Sequence, residues 1–197
     1  MLGAGDGAGS AVPPPGLDDR GPINPDDATA PPEPQPPAPT PQPLAVASAR
    51  WADLPAVARL QERAFRPGLA YRLTTLALLR LWPGARFLVA RRGGELVGCA
   101  IGDRHDGEAR VVNLAVDPSV RRQGIGSALL GALEEVLPGG DLILMVESDN
   151  PGARALYERS GYRFAGDAMN YYGRGRHGVW MRKARPSTGT RPPKLRV

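Results

Sequence analysis

The chain has 197 residues, a net charge of +5 and a single cysteine, which suits one domain with tails and excludes an intrachain disulfide. No run approaches the ~20 apolar residues that a membrane-spanning helix requires. The first residues lack the basic start and apolar run of a secretory signal, so we expect a cytoplasmic protein.

Both ends of the chain are predicted to be disordered. Residues 1–43 hold most of the 22 prolines, which fix φ and remove backbone donors, together with six acidic residues and one arginine. Residues 182–197 hold six basic residues and no acid. Such a tail either contacts nucleic acid or a ribosome or only adds solubility, and the sequence leaves both open. We therefore expect a leader at 1–43, a folded domain at 44–184 and a tail at 185–197.

The first half of the domain begins with a strand and two helices. Residues 44–50 alternate as a short strand. Asp53 as N-cap and Pro55 in the first turn predict a helix that reaches Ala64. A second helix is predicted over 71–82, where Pro83-Gly84 follows.

The next segments alternate between strands and helices. Residues 86–91 and 95–101 flank Arg92-Gly93-Gly94, which is typical of a β-hairpin. Further strands are predicted at 109–116, 142–146, 162–165 and 177–182, and further helices at 127–137 and 150–160. This order predicts an α/β fold with a mixed sheet of six to seven strands, flanked by about four helices. We expect the early strands to be antiparallel and at least one later connection to be a parallel crossover.

A glycine-rich turn joins the apolar strand at 109–116 to the following helix. It reads Arg121-Arg122-Gln123-Gly124-Ile125-Gly126-Ser127. Glycines at a strand-to-helix turn let backbone N–H groups converge, and the helix start favours a phosphate or pyrophosphate. A dinucleotide-binding fingerprint would need glycine where Leu129 stands, and a Walker A loop would need the absent Gly-Lys-Ser/Thr. The remaining readings are an [Arg/Gln]-x-x-Gly-x-Gly anion site and an ordinary tight turn.

Two segments resemble motifs of the GNAT superfamily of acetyl-CoA-dependent N-acetyltransferases. The first is Asn113-Leu114-Ala115-Val116-Asp117-Pro118 with the glycine turn that follows it. The second is Asn150-x-x-Ala153-x-x-Leu156-Tyr157-x-x-x-Gly161-Tyr162. The resemblance covers roughly residues 44–184 and implies the GNAT fold. Within the superfamily the chain is most similar to the bacterial ribosomal-protein N-terminal alanine acetyltransferases, a likeness that includes Asn170-Tyr171-Tyr172-Gly173.

The resemblance implies a site for acetyl-CoA, as co-substrate, between two splayed parallel strands. Backbone groups of the central strand would pair with pantetheine, and those of the glycine turn would bind the pyrophosphate. Asn150 either contacts the cofactor or caps its helix. The implicated residues are Leu114, Ala115, Val116, Arg121, Arg122, Gln123, Gly124, Ile125, Gly126, Ser127, Asn150 and Tyr157. No metal is expected, because the two histidines and Cys99 lack metal-ligand spacing.

The resemblance also implies catalytic roles, with one departure. Tyr157 would be the general acid toward the thiolate, since a phenol with a pKa near ~10 keeps its proton at neutral pH; the alternative is a core aromatic. Met145 stands where the family has a glutamate as base. Glu147, two residues on, and Glu108 are the candidates to replace it, and an enzyme without a dedicated base is the third possibility.

The expected activity is acetyl transfer to an amine by direct attack in a ternary complex. The acceptor is expected to be the N-terminal α-amine of a peptide or protein, for instance a ribosomal protein, in a groove flanked by Tyr171 and Tyr172. The alternatives are a small amine, such as a polyamine or aminoglycoside, and a catalytically silent module that binds acetyl-CoA. Neither a membrane nor direct contact with nucleic acid is required.

Overall fold

The computed structural model describes residues 42–185, so the predictions for residues 1–41 and 186–197 lie outside the described residues. The described part forms one seven-stranded mixed sheet with four α-helices, which confirms the predicted fold class. The strands are β1 Leu44–Ser48, β2 Arg86–Arg92, β3 Glu95–His105, β4 Glu108–Val116, β5 Leu142–Glu147, β6 Arg163–Ala168 and β7 Gly178–Lys183. The helices are α1 Leu54–Ala64, α2 Leu73–Leu81, α3 Ile125–Val136 and α4 Pro151–Arg159. None of these helices is long and apolar enough to cross a lipid bilayer.

The sheet has the strand order β1-β2-β3-β4-β5-β7-β6, with β4 and β5 at its centre. Those two strands are parallel and every other neighbouring pair is antiparallel. One face packs on α3 and α4 through buried residues such as Leu129, Leu133 and Leu144. The other face packs on α1 and α2 around Leu60 and Leu76. Since both faces are covered, β4 and β5 read as the apolar runs expected of buried central strands.

The two central strands separate partway along their length. In the described chain their pairing runs from Ala109–Leu142 to Val111–Leu144 and then stops, although β4 continues to Val116. A β-bulge lies at this point. Val111 and Asn113 of β4 pair with the adjacent β3 residues Gly102 and Ile101, so Val112 is an extra residue without a partner in β3. The result is a fork in the middle of the sheet, open toward the glycine turn.

A buried amide pair fixes the sheet at the bulge. The side chain of Gln61, in α1, donates from Nε2 to Asn113 Oδ1 at 2.7 Å. Asn113 Nδ2 returns a bond to Gln61 Oε1 at 3.2 Å. Both groups are satisfied inside an otherwise apolar core, so the pair anchors α1 to β4 where the fork begins.

Three details differ from the sequence-based expectation. Asp53 is the N-cap residue of α1 but does not cap it; its carboxylate binds the backbone N–H of Arg50 at 2.8 Å and the guanidinium of Arg91 at 2.7 Å. Strand β3 continues four residues beyond the predicted end at 101, because Asp103 pairs with Arg110 of β4. Helix α3 begins two residues early, after Gly124.

Candidate active site

A cavity of about 460 Å³ lies at the open end of the fork. The last residues of β4, the glycine turn, α4 and the end of α1 form its walls. The structure brings together nearly all the residues predicted to bind the cofactor: Leu114, Ala115, Val116, Arg121, Arg122, Gly124, Ile125, Gly126, Ser127, Asn150 and Tyr157. Its volume is that of a typical small-molecule site.

Several lining residues were not identified from the sequence. Three of them, Gly152, Leu156 and Arg159, recur at spacings of four and three on α4, so helical periodicity from Asn150 onward would have found this face. Ala64 and Phe65 come from the end of α1, and no sequence signal connects that segment to the glycine turn. Their placement depends on how α1 packs across the sheet.

The glycine turn has the backbone shape that an anion site needs. Gly124 has φ of +80° and Arg122 has φ of +62°, both in the left-handed region. Helix α3 starts at the next residue, Ile125, so its free N–H groups and positive dipole end border the cavity. Gly126 lies so close to α4 that an added Cβ would approach Leu156 Cδ2 to 3.2 Å. Glycine at this position therefore permits the close approach of the two helices.

The arginines of the turn have different roles. Arg121 donates to the backbone oxygens of Val116 at 3.2 Å and Ala64 at 2.8 Å, so its guanidinium mainly holds the turn against α1. Arg122 and Arg159 are exposed at the cavity and have no ion-pair partner in the part of the chain that the structure describes. The Gln123 side chain does not line the cavity, since it accepts a hydrogen bond from Arg92.

Tyr157 stands in the cavity wall with its side chain almost fully buried. Its ring packs edge-on against Tyr162, with 5.8 Å between the ring centroids. Burial raises the pKa of the Tyr157 hydroxyl to about 12. At this pKa the hydroxyl keeps its proton at neutral pH. Within residues 42–185 it has no hydrogen-bond partner, so the proton is available for a bound group.

Asn150 occupies a position that serves two purposes. Its Oδ1 accepts the backbone N–H of Ala153 at 3.1 Å, which confirms it as the N-cap of α4. The same residue lines the cavity, so the capped helix start faces the space between the glycine turn and Tyr157.

The two candidate bases lie outside the cavity lining. Glu108 is the first residue of β4 and pairs with Arg182; Val116 lies eight residues further, or about 26 Å along an extended strand. This distance argues against Glu108 as a catalytic group. Glu147 ends β5, where its Oε1 accepts from Arg176 Nε at 2.8 Å and lies 4.0 Å from Arg66 Nη1. The hydrogen bond from Arg176 holds the pKa of Glu147 below its usual range.

Met145 and the predicted acceptor tyrosines meet near the end of β5. Leu144 and Val146 belong to the core on the α3–α4 side, so Met145 faces the opposite side. The hydroxyl of Tyr172 donates to the backbone oxygen of Met145 at 3.2 Å. The ring of Tyr172 contacts Tyr171 edge-on at a centroid distance of 5.0 Å. Among the described residues, no cluster of three or more potential metal ligands occurs.

Comparison with known proteins gives consistent matches. A sequence model described as the acetyltransferase (GNAT) family matches residues 54–162. An uncharacterised N-acetyltransferase from Methanocaldococcus jannaschii is 32% identical over 139 residues, which covers 68% of this chain and 88% of that protein. The alanine N-acetyltransferase of ribosomal protein bS18 from Escherichia coli is 34% identical over 132 residues, with 64% and 86% covered.

Solved structures agree with the sequence matches. The crystal structure of the ribosomal-protein-S18-alanine N-acetyltransferase from Escherichia coli has a TM-score of 0.67 at 29% identity, covering 75% of this chain and 97% of that chain. The structure of Ard1 from Thermoplasma volcanium has a TM-score of 0.63 at 27% identity, with 72% and 97% covered. Fold, cavity and sequence thus agree that the chain belongs to the GNAT family of acetyltransferases and is an acetyl-CoA-dependent N-acetyltransferase.

Proposed function

We propose that this enzyme acetylates the N-terminal α-amine of a peptide or protein. The lack of a free proton acceptor supports this acceptor most directly. No carboxylate and no histidine is among the described residues that form the cavity, and Glu147, on the acceptor side, is paired with Arg66 and Arg176. An amine must then arrive without its extra proton. An α-amine with a pKa near ~8 is about one-quarter free base at pH 7.5, whereas a lysine with a pKa near ~10.4 is about 0.1%. The names of the Escherichia coli relatives, which describe alanine N-acetylation, favour the same acceptor.

The cavity fits acetyl-CoA, and we assign its parts accordingly. The edge of β4 that faces the fork, from Leu114 to Val116, offers backbone groups to the amide-bearing pantetheine arm. The amides of the turn from 121 to 127 and the start of α3 suit the pyrophosphate. Arg122 and Arg159 supply formal positive charge beside it. Gln123 contributes through its backbone only, since its side chain binds Arg92.

The transfer then follows from the groups at hand. A backbone N–H in the segment 114–116 stabilises the oxyanion that forms when the amine nitrogen attacks the acetyl carbonyl carbon. As the C–S bond breaks, Tyr157 donates its proton to the departing sulfur. The acylated nitrogen releases its surplus proton to solvent, and the Tyr157 phenolate takes up one proton from solvent, so the enzyme returns to its starting state. The products are the N-acetylated amine and the free thiol.

The surroundings of Glu147 support this route without a dedicated base. A carboxylate that is ion-paired with two arginines is a weak proton acceptor, because protonation would leave both cations unpaired. The same arginines, Arg66 and Arg176, outnumber the acid at the end of β5, so the site favours a neutral acceptor over a polycationic small amine. We place the acceptor at the end of β5, next to Tyr171 and Tyr172. We also propose that the enzyme works in the cytoplasm.

The acceptor is tested by incubating the full chain with acetyl-CoA and measuring thiol release. The panel holds peptides that begin with alanine, serine or methionine, and the same peptides with a blocked N-terminus and an internal lysine. Spermidine and an aminoglycoside represent small amines. We expect acetylation of the free N-termini alone, located by mass spectrometry. Acetyl groups found only on lysine Nζ or on the small amines would refute the proposed acceptor.

A further inference from the structure

One carboxylate joins three segments beside the fork. Glu147 ends β5, Arg66 lies in the connection between α1 and α2, and Arg176 lies in the connection between β6 and β7. The side chain of Glu147 is 11% exposed, whereas Arg66 is 65% exposed and Arg176 is 33% exposed. The acid is therefore the buried centre of the cluster, and the two cations approach it from opposite connections.

Both connections carry residues of the site. Phe65, which directly precedes Arg66, lines the cavity. The connection between β6 and β7 carries Tyr172, whose backbone N–H donates to the backbone oxygen of Arg176 at 3.1 Å. Arg176 thus contacts Tyr172 through one backbone hydrogen bond, and the Tyr172 hydroxyl is bonded separately to Met145 of β5. A shift of Glu147 would change the spacing between Phe65 on one side and Tyr172 on the other.

Glu147 anchors the two connections because it is the single acid between two arginines. Removal of the Glu147 charge leaves two guanidinium groups around a largely buried position, and they repel each other. The β6–β7 connection keeps a second attachment to the end of β5, since the backbone N–H of Ser148 donates to the backbone oxygen of His177 at 2.9 Å. The connections would therefore loosen locally without unfolding the domain.

We propose that Glu147 is a positioning residue, which uses Arg66 and Arg176 to hold the two connections at the spacing that the acceptor requires. The acceptor itself is that of the proposed function, so the kinetic part of the test rests on it. Backbone hydrogen exchange does not rest on it, because the spacing of the connections exists without any acceptor.

Three variants of the full chain test the proposal: Glu147→Gln, the charge swap Glu147→Arg with Arg176→Glu, and Glu158→Gln as control. Glu158 is matched because it forms an exposed ion pair with Arg154 at 3.9 Å on α4. In Glu147→Gln we expect the KM for an alanine-starting peptide to rise about tenfold, as for one lost charge-assisted hydrogen bond. The KM for acetyl-CoA and the shape of the pH profile of kcat should stay as in the original protein.

The swap separates positioning from proton transfer. It restores the ion pair with position 176 but moves the carboxylate and leaves Arg66 without an acidic partner, so we expect the peptide KM to fall part of the way back, to about threefold above the original value. Hydrogen exchange over 66–72 and 169–177 should be faster in Glu147→Gln and normal in Glu158→Gln. In the swap it should be near normal over 169–177 and stay fast over 66–72, because Arg66 then faces a second cation.

Two results would overturn the proposal. One is a loss of kcat in Glu147→Gln, with an altered pH profile that the swap does not repair, since that identifies a proton acceptor. The other is unchanged exchange in both connections. If no peptide is acetylated at all, the exchange data decide alone, so failure of the proposed acceptor is distinguishable from failure of the anchor.

Discussion

Replacement of Tyr157 by Phe isolates the hydroxyl of a side chain that lines the cavity. The hydroxyl has no partner in the described chain, so its removal orphans no buried donor or acceptor, and we expect the free energy of unfolding to stay the same or rise slightly. The ring, its edge contact with Tyr162 and the shape of the cavity wall are all kept. A loss of rate can then be assigned to the missing proton.

The expected magnitude follows from the pKa. With the Tyr157 pKa raised to about 12 and an alkyl thiol near ~8.5, complete transfer to a free thiolate is unfavourable by about 5 kcal/mol. The phenol therefore first stabilises the charge that develops on sulfur as a hydrogen-bond donor, and it gives up its proton late in the step. General acids raise reaction rates about 10²- to 10⁴-fold. Because the pKa of Tyr157 lies well above that of the thiol, we expect a contribution at the low end of this range. We expect kcat to fall about 100-fold, or about 2.7 kcal/mol, with the KM for acetyl-CoA unchanged.

The assay is steady-state thiol release, with Tyr162→Phe as the matched control. Tyr162 is also buried, and it does not line the cavity. Its variant should keep the original kcat. The original enzyme should also show no alkaline loss of kcat that stems from Tyr157 below about pH 10. A kcat for Tyr157→Phe within about threefold of the original, or equal losses in both variants, would refute the role of the hydroxyl.

Three further predictions concern the cofactor turn and the core. Arg122→Ala should raise the KM for acetyl-CoA about tenfold in steady-state assays, with little change in kcat. Titration calorimetry should show a similar rise in the Kd for acetyl-CoA, and added salt should shrink the difference between the two proteins. Asp117, whose pKa its bonds to Ser119 and Arg63 lower to about 2, stabilises the fold above pH ~4, and this stabilisation is lost as the pH falls through about 2. Asp117→Asn should therefore lower stability in urea titrations at pH 6 but not at pH 2. Cys99, buried with its pKa raised to about 12, should resist alkylation until the protein unfolds, and Cys99→Ala should keep its activity, which a covalent acetyl-cysteine route would forbid.

Local signals predicted the elements well where one short segment decides the structure. Asn150 before an apolar periodic run fixed the start of α4, and the glycines after Arg92 fixed the hairpin. The end of β3 was missed because Asp103, Arg104 and His105 are polar and read as a loop. They are strand residues because β4 pairs with them across the turn, with Asp103 bonded to Arg110.

The site was predictable on the cofactor side and less so on the acceptor side. The glycine turn carries its own backbone and dipole chemistry in seven consecutive residues, so its spacing predicts an anion site, and the resemblance to the GNAT motifs favours that reading over an ordinary tight turn. Glu147 gave no such signal, since its partners Arg66 and Arg176 are far away in the chain and become neighbours only through the sheet. Glu108 is the opposite case: a plausible residue type on the central strand, which the structure places eight residues from Val116 and in an ion pair with Arg182.

The fork between β4 and β5 leaves two hydrogen-bonding backbone edges in the middle of a domain, where neighbouring strands would ordinarily pair along their whole length. The proposed pantetheine arm takes the place of the missing strand, so the folded chain is complete only as a complex. By mass action, a ligand at 100 times its Kd adds about 2.7 kcal/mol to stability, a large share of the ~5–15 kcal/mol typical of a domain. Because cellular proteases remove the unfolded fraction, the lifetime of this enzyme should lengthen when acetyl-CoA is abundant and shorten when carbon is scarce. We therefore expect the gap in the sheet to link the amount of enzyme, as well as its rate, to the supply of acetyl-CoA.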